Sequence, residues 1–285
     1  MIIDFRVRPP FKSFCNLTIF GSRLEAANRP AAWVGPMAES VKSRSLERFL
    51  DELSAASVQH SVVWGRSVPD KAASTEMEDV AELVLKYPKL FSGFAGVAIP
   101  EEGQVDNAVK NVEKALIHLK LKGITLEPGF AMSSTRGADD PNLYPIYERC
   151  QELGGILGFT ISVRAGGDIR FSNPEAVDRV AGLFPKLRMV VGHSFWPWVA
   201  QACGVAYRRK NVYLLPDFYG LGCPGHLQWV EAANSLLPDQ ILFASAYPLA
   251  AVAPMVEGYK ALPFRAGVLE RVMYRNAAAL LRLEA

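Results

Sequence analysis

Residues 139–160, DDPNLYPIYERCQELGGILGFT, contain a capped helix and most of the buried strand that follows it. Asp140 is a typical N-cap residue, and the proline after it stands at the first helical position, where its missing N–H costs nothing. The strand, Ile156–Ser162, is mostly apolar and does not alternate, as is typical of a strand that is buried on both faces. The stretch therefore predicts a helix–strand unit of a parallel sheet.

The same alternation of strand and helix extends from this unit to both ends of the chain. Eight such units in series favour an α/β fold of the closed (β/α)₈ or TIM-barrel type, and the pattern alone leaves an open doubly wound sheet as the alternative. The length, 285 residues, fits one barrel domain over 1–285, although two small domains would also fit. The other predicted strands are Met1–Phe5, His60–Trp64, Phe91–Ile99, Gly123–Glu127, Arg188–Val191, Val212–Leu215 and Ile241–Ala244.

Residues 10–44 interrupt this rhythm with a long connection after the first strand. Loops of this length in a compact domain usually have a function or pack against a partner. Because the connection follows a strand, we expect it to lie over the mouth of the barrel. An arm that contacts other copies is the alternative, so a homo-oligomer stays open.

Composition excludes several classes of partner. The 31 basic and 29 acidic residues nearly cancel, so no polyanion-binding stripe is expected and nucleic acid is not a predicted partner. No apolar run reaches the roughly 18 residues of a membrane-spanning helix. The N-terminus lacks the pattern of a signal peptide, and the four cysteines show no CxxC spacing, which favours a reducing cytoplasm. We expect a cytoplasmic protein that binds a small molecule.

Several local motifs, in order, resemble the amidohydrolase-related family, which includes small-acid decarboxylases and lactone hydrolases. MIIDFRVRPP (1–10) stands where that family has a strand ending in Asp-x-His-x-His. MVVGHSFWPW (189–198) resembles its strand 6, and ILFASAYP (241–248) resembles its strand 8, usually Leu-Phe-Gly-Ser/Thr-Asp-Tyr-Pro. LKGITLEPGF (121–130), the stretch 139–160 and the tail VMYRNAAALLRL (272–283) also match. The resemblance covers nearly the whole chain and implies an amidohydrolase-like barrel.

The resemblance also implies a divalent metal, bound by two histidines of strand 1, one of strand 5, often one of strand 6, and an aspartate of strand 8. The corresponding residues of this chain are Arg6, Arg8, Thr160, His193 and Ala246. An arginine stays protonated and cannot donate a lone pair, and alanine has no donor atom. We therefore expect no metal cofactor. One divalent metal held by Glu127, His193 and Asp217 is the alternative.

Arg6 and Arg8 are two residues apart, so both point to the same side of strand 1, which at a strand end is the mouth. Guanidinium groups bind carboxylates and phosphates through paired hydrogen bonds. The pair therefore predicts a site for a small-molecule carboxylate or another anionic substrate, and pairing with Asp4, Glu127 or Asp217 is the alternative. The other predicted substrate contacts, all near strand ends, are Arg66, Arg164, Thr160, Tyr247, Tyr219 and Trp196.

His193 is the best catalytic candidate because it ends an apolar run and titrates near neutrality. Asp217 ends the neighbouring strand 7, where it would orient the histidine as a triad carboxylate does. Glu127 ends strand 4 and completes the predicted catalytic set. His226, in the loop after strand 7, and Cys223, as a nucleophile, are weaker candidates.

These residues predict a metal-independent hydrolase acting on a lactone, ester or amide of a small organic acid. Arginines would replace part of the positive charge of the missing metal, and His193 would act as the base because no metal activates water. The alternatives are a metal-independent decarboxylase of an aromatic or unsaturated acid, and a non-catalytic binding protein on a decayed enzyme scaffold.

Overall fold

The computed structural model describes residues 1–21, 32–101, 103–130, 137–164 and 168–283. Parallel strands, each paired with the next along the chain, form a curled sheet, which confirms the predicted TIM-barrel class. The strands are β1 (Ile3–Val7), β2 (His60–Trp64), β3 (Phe91–Gly96), β4 (Gly123–Leu126), β5 (Ile156–Thr160), β6 (Arg188–Gly192) and β7 (Val212–Leu215).

The segment 241–247 lies between β7 and β1 and is bridged to both, so it completes the ring. The prediction of a regular strand at Ile241–Ala244 is nevertheless wrong. The Ser245 N–H donates to the carboxylate of Asp4 at 3.0 Å, and the Phe243 N–H donates to a carbonyl outside the sheet at 3.0 Å. Because these donors are used elsewhere, this segment makes single bridges in place of a ladder.

Helices lie outside the strands and connect them. None of the helices in the described ranges is long and apolar enough to cross a membrane. They are α1 (Glu39–Ser43), α2 (Leu46–Ala55), α3 (Met77–Lys86), α4 (Val105–Glu113), α5 (Tyr144–Glu152), α6 (Glu175–Leu183), α7 (Val199–Arg208), α8 (His226–Ala233), α9 (Val252–Ala261), α10 (Val268–Glu270) and α11 (Asn276–Leu281).

Apolar side chains form one cluster inside the ring and another between the ring and the helices. Inside the ring, Trp64 stacks on Phe94 with ring centroids 5.7 Å apart, and its Nε1–H donates to the carbonyl of Phe5 at 2.7 Å. All three side chains are fully buried. The strand sequences are apolar and do not alternate because both faces of each strand are covered.

A bulge in β1, between Asp4 and Val7, decides which side chains enter the barrel. Phe5 belongs to the interior cluster, yet the guanidinium of the next residue, Arg6, also lies inside, with Cζ 5.4 Å from the Trp64 ring centroid. In a regular strand these consecutive side chains would point to opposite faces. The bulge therefore turns Arg6 into the barrel, a common use of bulges beside functional sites.

Candidate active site

His193 directly follows β6, and its side chain is buried against Asp217 from the end of β7. His193 Nδ1 lies 2.8 Å from Asp217 Oδ2, and the His193 backbone N–H donates to the same oxygen at 3.2 Å. The Nδ1 atom has no well-aligned hydrogen bond to a described residue, so its short contact is mainly electrostatic. The predicted contact between Asp217 and His193 is thus confirmed.

The surroundings of His193 favour its uncharged form. Burial lowers the pKa of His193, Asp217 raises it and Arg6 lowers it, and the outcome is a pKa below the usual value of 6.5. At neutral pH the ring is therefore unprotonated, which is the form that a general base requires.

Arg6 reaches across the barrel to this pair. Its Nη1 lies 3.5 Å from Asp217 Oδ2. Gly192, at the end of β6, makes room for it, because a Cβ atom there would lie 3.3 Å from both Cδ and Nε of Arg6. Burial lowers the pKa of Arg6 and Asp217 raises it, but an arginine in a protein remains a cation. A fixed positive charge therefore lies beside the His193–Asp217 pair.

Arg8 points toward the other side of the ring, where it binds Glu127. Arg8 Nη2 lies 2.7 Å from Glu127 Oε1, and Arg66 Nε donates to Oε2 at 2.8 Å. Burial raises the pKa of Glu127, but the two arginines outweigh burial and lower the pKa to about 2. Arg8 also donates to the carbonyl of Trp64 at 3.3 Å. The internal pairing that the sequence left open for Arg6 and Arg8 is therefore the arrangement found, with Arg8 on Glu127 and Arg6 on Asp217.

The backbone is strained where these residues leave the ring. His193, Ser194 and Phe195 have φ of 67°, 44° and 60°, and Asp217 and Ala246 have φ of 47° and 55°. Residues other than glycine rarely adopt positive φ, at a cost of about 1–3 kcal/mol each. Such strain is concentrated at functional sites, and here it follows the last three segments of the ring.

Buried polar atoms without partners gather at the same place. Within the described residues, Arg6 Nε, Thr160 Oγ1, His193 Nδ1 and Asp217 Oδ1 lack a hydrogen bond. Thr160 ends β5 and is paired in register with Gly192. His193 Nδ1 already contacts Asp217, but buried polar groups are nearly always satisfied, so the other three atoms indicate a site for a bound molecule.

A cavity of about 530 Å³ opens beside the cluster, at the mouth of the barrel. Trp196 and Tyr219 line it as a stacked pair, with centroids 4.7 Å apart and planes at 10°. The edge of Tyr219 also contacts the His193 ring, with centroids 5.5 Å apart. Arg164 lies in the same lining. Three predicted substrate contacts, Arg164, Trp196 and Tyr219, therefore line the cavity, and Tyr219 joins it to His193.

Trp33 belongs to the long connection at 10–44, and it lines the same cavity. Its ring centroid lies 5.9 Å from that of Phe218 and 6.5 Å from that of Tyr219. The prediction that this connection lies over the mouth is confirmed for Trp33, while residues 22–31 lie outside the described part of the chain.

Tyr247 is not part of this site. Its hydroxyl lies 2.7 Å from Ser40 Oγ, and its ring packs on Phe49 of α2 with centroids 4.3 Å apart. The left-handed backbone at Ala246 precedes it, and the side chain is directed outward to the helices. This placement contradicts the prediction that Tyr247 contacts substrate.

The metal implied by the family resemblance does not fit this donor set. Arg6 extends from strand 1 and places a positively charged guanidinium next to Asp217. Ala246 has only a methyl group, so neither residue can donate an electron pair to a metal. The alternative set is not assembled either, because two arginines hold Glu127 apart from His193 and Asp217. Among the described residues, no three His, Cys, Asp or Glu side chains converge. The three residues of the alternative metal set, Glu127, His193 and Asp217, therefore do not form one ligand group in the described part of the chain.

Two residues that shape the site were missed in the sequence. Gly192 admits Arg6. Its signal was a glycine directly before the strand-end His193. Trp64 lies beneath the Arg6 guanidinium, and its signal was an aromatic residue at the end of a predicted strand. Of the weaker candidates, Cys223 is a poor nucleophile because burial raises the pKa of its thiol to about 11.

The architecture and the buried histidine, carboxylate and arginine define a TIM-barrel protein with a polar centre at the carboxyl ends of its strands. An uncharacterised TIM-barrel protein from Bordetella bronchiseptica is similar, with a TM-score of 0.90, 35% identity, and coverage of 99% of this chain and 98% of that one. A family model described as Amidohydrolase matches residues 3–283, so the chain belongs to the amidohydrolase family. It is an amidohydrolase-superfamily enzyme.

More distant structures share the fold. 5-Carboxyvanillate decarboxylase from Sphingomonas paucimobilis has a TM-score of 0.67 and 18% identity, with 99% of this chain and 98% of that one covered. 4-Oxalomesaconate hydratase from Rhodopseudomonas palustris has a TM-score of 0.67 and 16% identity, with 99% and 96% covered. These identities support the fold and not the reaction. None of the curated proteins compared with the sequence matches it.

Proposed function

We propose that the chain is a hydrolase that cleaves a lactone, ester or amide of a small organic acid without a metal. The observation that carries the proposal is the contact of Asp217 with both His193 and Arg6, at 2.8 Å and 3.5 Å. An uncharged imidazole, a carboxylate behind it and a fixed cation are the groups needed to activate water and to stabilise an oxyanion.

In the proposed reaction, His193 Nε2 removes a proton from water while the water oxygen attacks the carbonyl carbon. The carbonyl electron pair moves onto oxygen, and the Arg6 guanidinium stabilises that negative charge. Asp217 stabilises the imidazolium that forms. The tetrahedral intermediate then collapses, the bond to the leaving oxygen or nitrogen breaks, and the leaving group takes the proton from His193.

Arg8, Arg66 and Glu127 have a supporting role in this proposal. Their ion pairs, at 2.7 Å and 2.8 Å, join β1 to the ends of β2 and β4. Removing one member of a buried ion pair leaves an uncompensated charge, which costs about 3–5 kcal/mol. The ion-paired group of Arg8, Arg66 and Glu127 therefore keeps the opposite side of the mouth rigid. In this proposal Glu127 is not the general base.

Decarboxylation of an aromatic acid is the second candidate, and the aromatic cavity favours it. Arg6 argues against it. A cation bound to the reacting carboxylate stabilises the ground state, and that stabilisation is lost as charge leaves the carboxylate in the transition state. The same cation favours hydrolysis, because negative charge grows on the carbonyl oxygen.

A panel of lactones, esters, amides and aromatic acids would test the proposal, with chelator present, by following acid release and carbon dioxide release separately. We expect acid release that His193→Gln lowers at least about a hundredfold. His226→Gln is the matched control, because that histidine is only half-buried and contacts the carbonyl of Cys223. Carbon dioxide release that depends on His193 would replace the hydrolase with the decarboxylase, and turnover of no compound would favour a binding protein.

A further inference from the structure

We propose that a water molecule is bound inside the barrel between Arg6, Thr160 and Asp217, and that Thr160 is a positioning residue that acts on the His193–Asp217 pair through this water. The inner water is distinct from the attacking water of the proposed reaction, which would lie at the other ring nitrogen of His193, Nε2. Binding of the inner water is measurable without any turnover.

Three buried polar atoms define the position of this water. Arg6 Nε, Thr160 Oγ1 and Asp217 Oδ1 have no hydrogen-bond partner in the described part of the chain, and all three side chains are buried. Buried polar atoms nearly always have a partner, either in the protein or in an ordered water molecule. A partner from outside the polypeptide is therefore expected at this position.

Gly192, at the end of β6, relates the three atoms to one another. Thr160 is its register partner on β5, so the Thr160 side chain points to the same face of the sheet that a side chain of Gly192 would occupy. Arg6 Nε lies on that face, 3.3 Å from where a Cβ atom of Gly192 would be. The other oxygen of Asp217, Oδ2, contacts Arg6 Nη1 at 3.5 Å and the backbone N–H of His193 at 3.2 Å. The three atoms therefore lie around the face of Gly192 that carries no side chain.

The hydrogen-bonding capacities of these atoms select water as the ligand. Arg6 Nε can only donate, the Asp217 carboxylate can only accept, and the Thr160 hydroxyl can do either. A chloride ion cannot donate to Asp217, and a metal or ammonium cation cannot accept from Arg6. Water accepts from Arg6, donates to Asp217 and bonds to Thr160, which gives it the roughly three partners of a typical buried water. Because Arg6 and Asp217 already form an ion pair, the site also favours a neutral ligand.

This water links Thr160 to the charge on His193. Among the charged neighbours of that histidine, Asp217 raises its pKa, while Arg6 and Arg8 lower it. A hydrogen bond from the water to Asp217 Oδ1 stabilises the carboxylate charge, so less of that charge acts on the imidazole. The water therefore favours the uncharged form of His193, and Thr160 holds the water in place.

Crystal structures of the wild type, Thr160→Ser and Thr160→Val test the site directly. We expect a water oxygen about 2.7–3.2 Å from Arg6 Nε, Asp217 Oδ1 and the hydroxyl of residue 160 in the wild type and in Thr160→Ser, and no such water in Thr160→Val. A wild-type map without density between the three atoms would overturn the inference, as would a chloride or metal ion identified there by anomalous scattering.

Urea unfolding shows whether the Thr160 hydroxyl has a partner. Valine has nearly the shape of threonine, so loss of a hydroxyl that binds water should lower the unfolding midpoint, whereas loss of a buried hydroxyl without a partner should leave the midpoint unchanged or raise it. We expect Thr160→Val to lower the midpoint. Thr125→Val is the matched control, because Thr125 is also buried and donates to the carbonyl of Gly65 at 2.7 Å, and its midpoint should fall similarly. A Thr160→Val midpoint at or above that of the wild type would contradict the bound water.

Titration of His193 by nuclear magnetic resonance measures the effect of the water on the proposed reacting centre. The chain has four histidines, and His193→Gln identifies the signal. Thr160→Val should raise the pKa of His193, with an acid dissociation constant about three- to tenfold lower than in the wild type. Thr160→Ser and Thr125→Val should keep the wild-type value. An unchanged titration in Thr160→Val would show that Thr160 does not act on His193.

The water site and the hydrolase fail in different ways. If compounds of the hydrolysis panel are cleaved through His193 but the wild-type map shows no inner water, the water site is wrong and the hydrolase stands. If the inner water is present and depends on the Thr160 hydroxyl, but no compound is turned over, the water site stands and the hydrolase is wrong.

Discussion

One carboxylate oxygen of Asp217 contacts His193 twice, at 2.8 Å from the ring Nδ1 and 3.2 Å from the backbone nitrogen. The contact with the backbone nitrogen holds the strained turn at His193, and the contact with Nδ1 holds the imidazole ring in its orientation. The Asp217 side chain is fully buried. The carboxylate therefore controls the charge and the orientation of His193 together.

Asp217→Asn should lower kcat for the hydrolytic reaction about a hundredfold or more, because an amide cannot stabilise the imidazolium. Asp217 raises the pKa of His193, so its loss should move the acid limb of the kcat/KM profile to lower pH. A pH–rate profile measures both effects. Asp178→Asn, which removes a carboxylate from a surface pair with Arg209, is the control and should change neither. An acid limb that stays in place would contradict the role of Asp217.

Arg6→Met should move the same acid limb the other way. Arg6 lowers the pKa of His193, so its removal raises that pKa and shifts the limb to higher pH. The loss of the cation beside the oxyanion should also lower kcat by about ten- to a hundredfold. Arg6→Lys keeps the charge and should recover part of the rate. If Arg6→Met and Arg6→Lys behave alike, charge is not what Arg6 contributes.

Gly192→Ala should lower activity more than stability. The added Cβ would lie 3.2 Å from the carbonyl oxygen of Phe159 and 3.3 Å from two side-chain atoms of Arg6. The flexible Arg6 side chain can move by a few tenths of an ångström at low cost in folding free energy. Its guanidinium would then be misplaced for the oxyanion of the proposed reaction. Steady-state kinetics and urea unfolding, measured on the same preparation, separate the two effects. Wild-type kcat in a stable Gly192→Ala variant would show that Arg6 tolerates displacement.

Asp4→Asn should change how stability depends on pH. Burial raises the pKa of Asp4 from 3.8 to about 6, although hydrogen bonds from Ser245 and Arg6 oppose the rise. The folded protein therefore holds this proton more tightly than the unfolded chain, and that stabilisation, present below about pH 4, is lost as the pH rises through 6. The loss amounts to about 3 kcal/mol at most.

Urea unfolding at several pH values from 4 to 8 measures this difference. As the pH rises, the free energy of unfolding of the wild type should fall relative to that of Asp4→Asn. The expected result is this change with pH, and it does not depend on which protein is more stable at pH 4. Ser245→Ala removes the hydroxyl hydrogen bond to the Asp4 carboxylate and keeps the backbone one, so free energy of unfolding should fall more steeply with pH in this variant than in the wild type. Parallel curves for wild type and Asp4→Asn would mean that Asp4 does not titrate in this range.

Purified protein should contain far less than one equivalent of zinc, manganese or iron. The reason is the chemistry of the donor positions, where Arg6 brings a cation and Ala246 brings a methyl group. Elemental analysis of protein prepared without chelator measures the content, and activity before and after treatment with chelator should be equal. One bound equivalent that chelator removes together with activity would contradict the proposal.

Much of the barrel followed from the hydrophobic pattern. The predicted strands His60–Trp64 and Val212–Leu215 match β2 and β7 at both ends, because strands covered on both faces leave a distinct apolar run. The run Ile241–Ala244 has the same composition, yet it is not a regular strand. Its pairing depends on the Asp4 carboxylate, which is distant in sequence and accepts the Ser245 N–H.

The site was only partly predictable for a similar reason. The contact of Asp217 with His193 follows from the order of neighbouring strands, which the sequence contains. The divergence of Arg6 and Arg8 toward different carboxylates follows from the bulge in β1 and from partners across the barrel, which local pattern does not encode. The outward direction of Tyr247 depends on the positive φ of the preceding alanine, a residue type that rarely adopts it.

The indole of Trp64 blocks the barrel axis under Arg6, where it stacks on Phe94 and bonds to the backbone of β1. Among the described residues, apolar side chains fill the interior of the barrel below Arg6, as is usual for this fold. A molecule that reaches Arg6 must turn back toward the strand ends to escape. In the proposed reaction, the substrate would therefore enter and the acid would leave by the same route, so the acid would have to depart before the next substrate could approach His193.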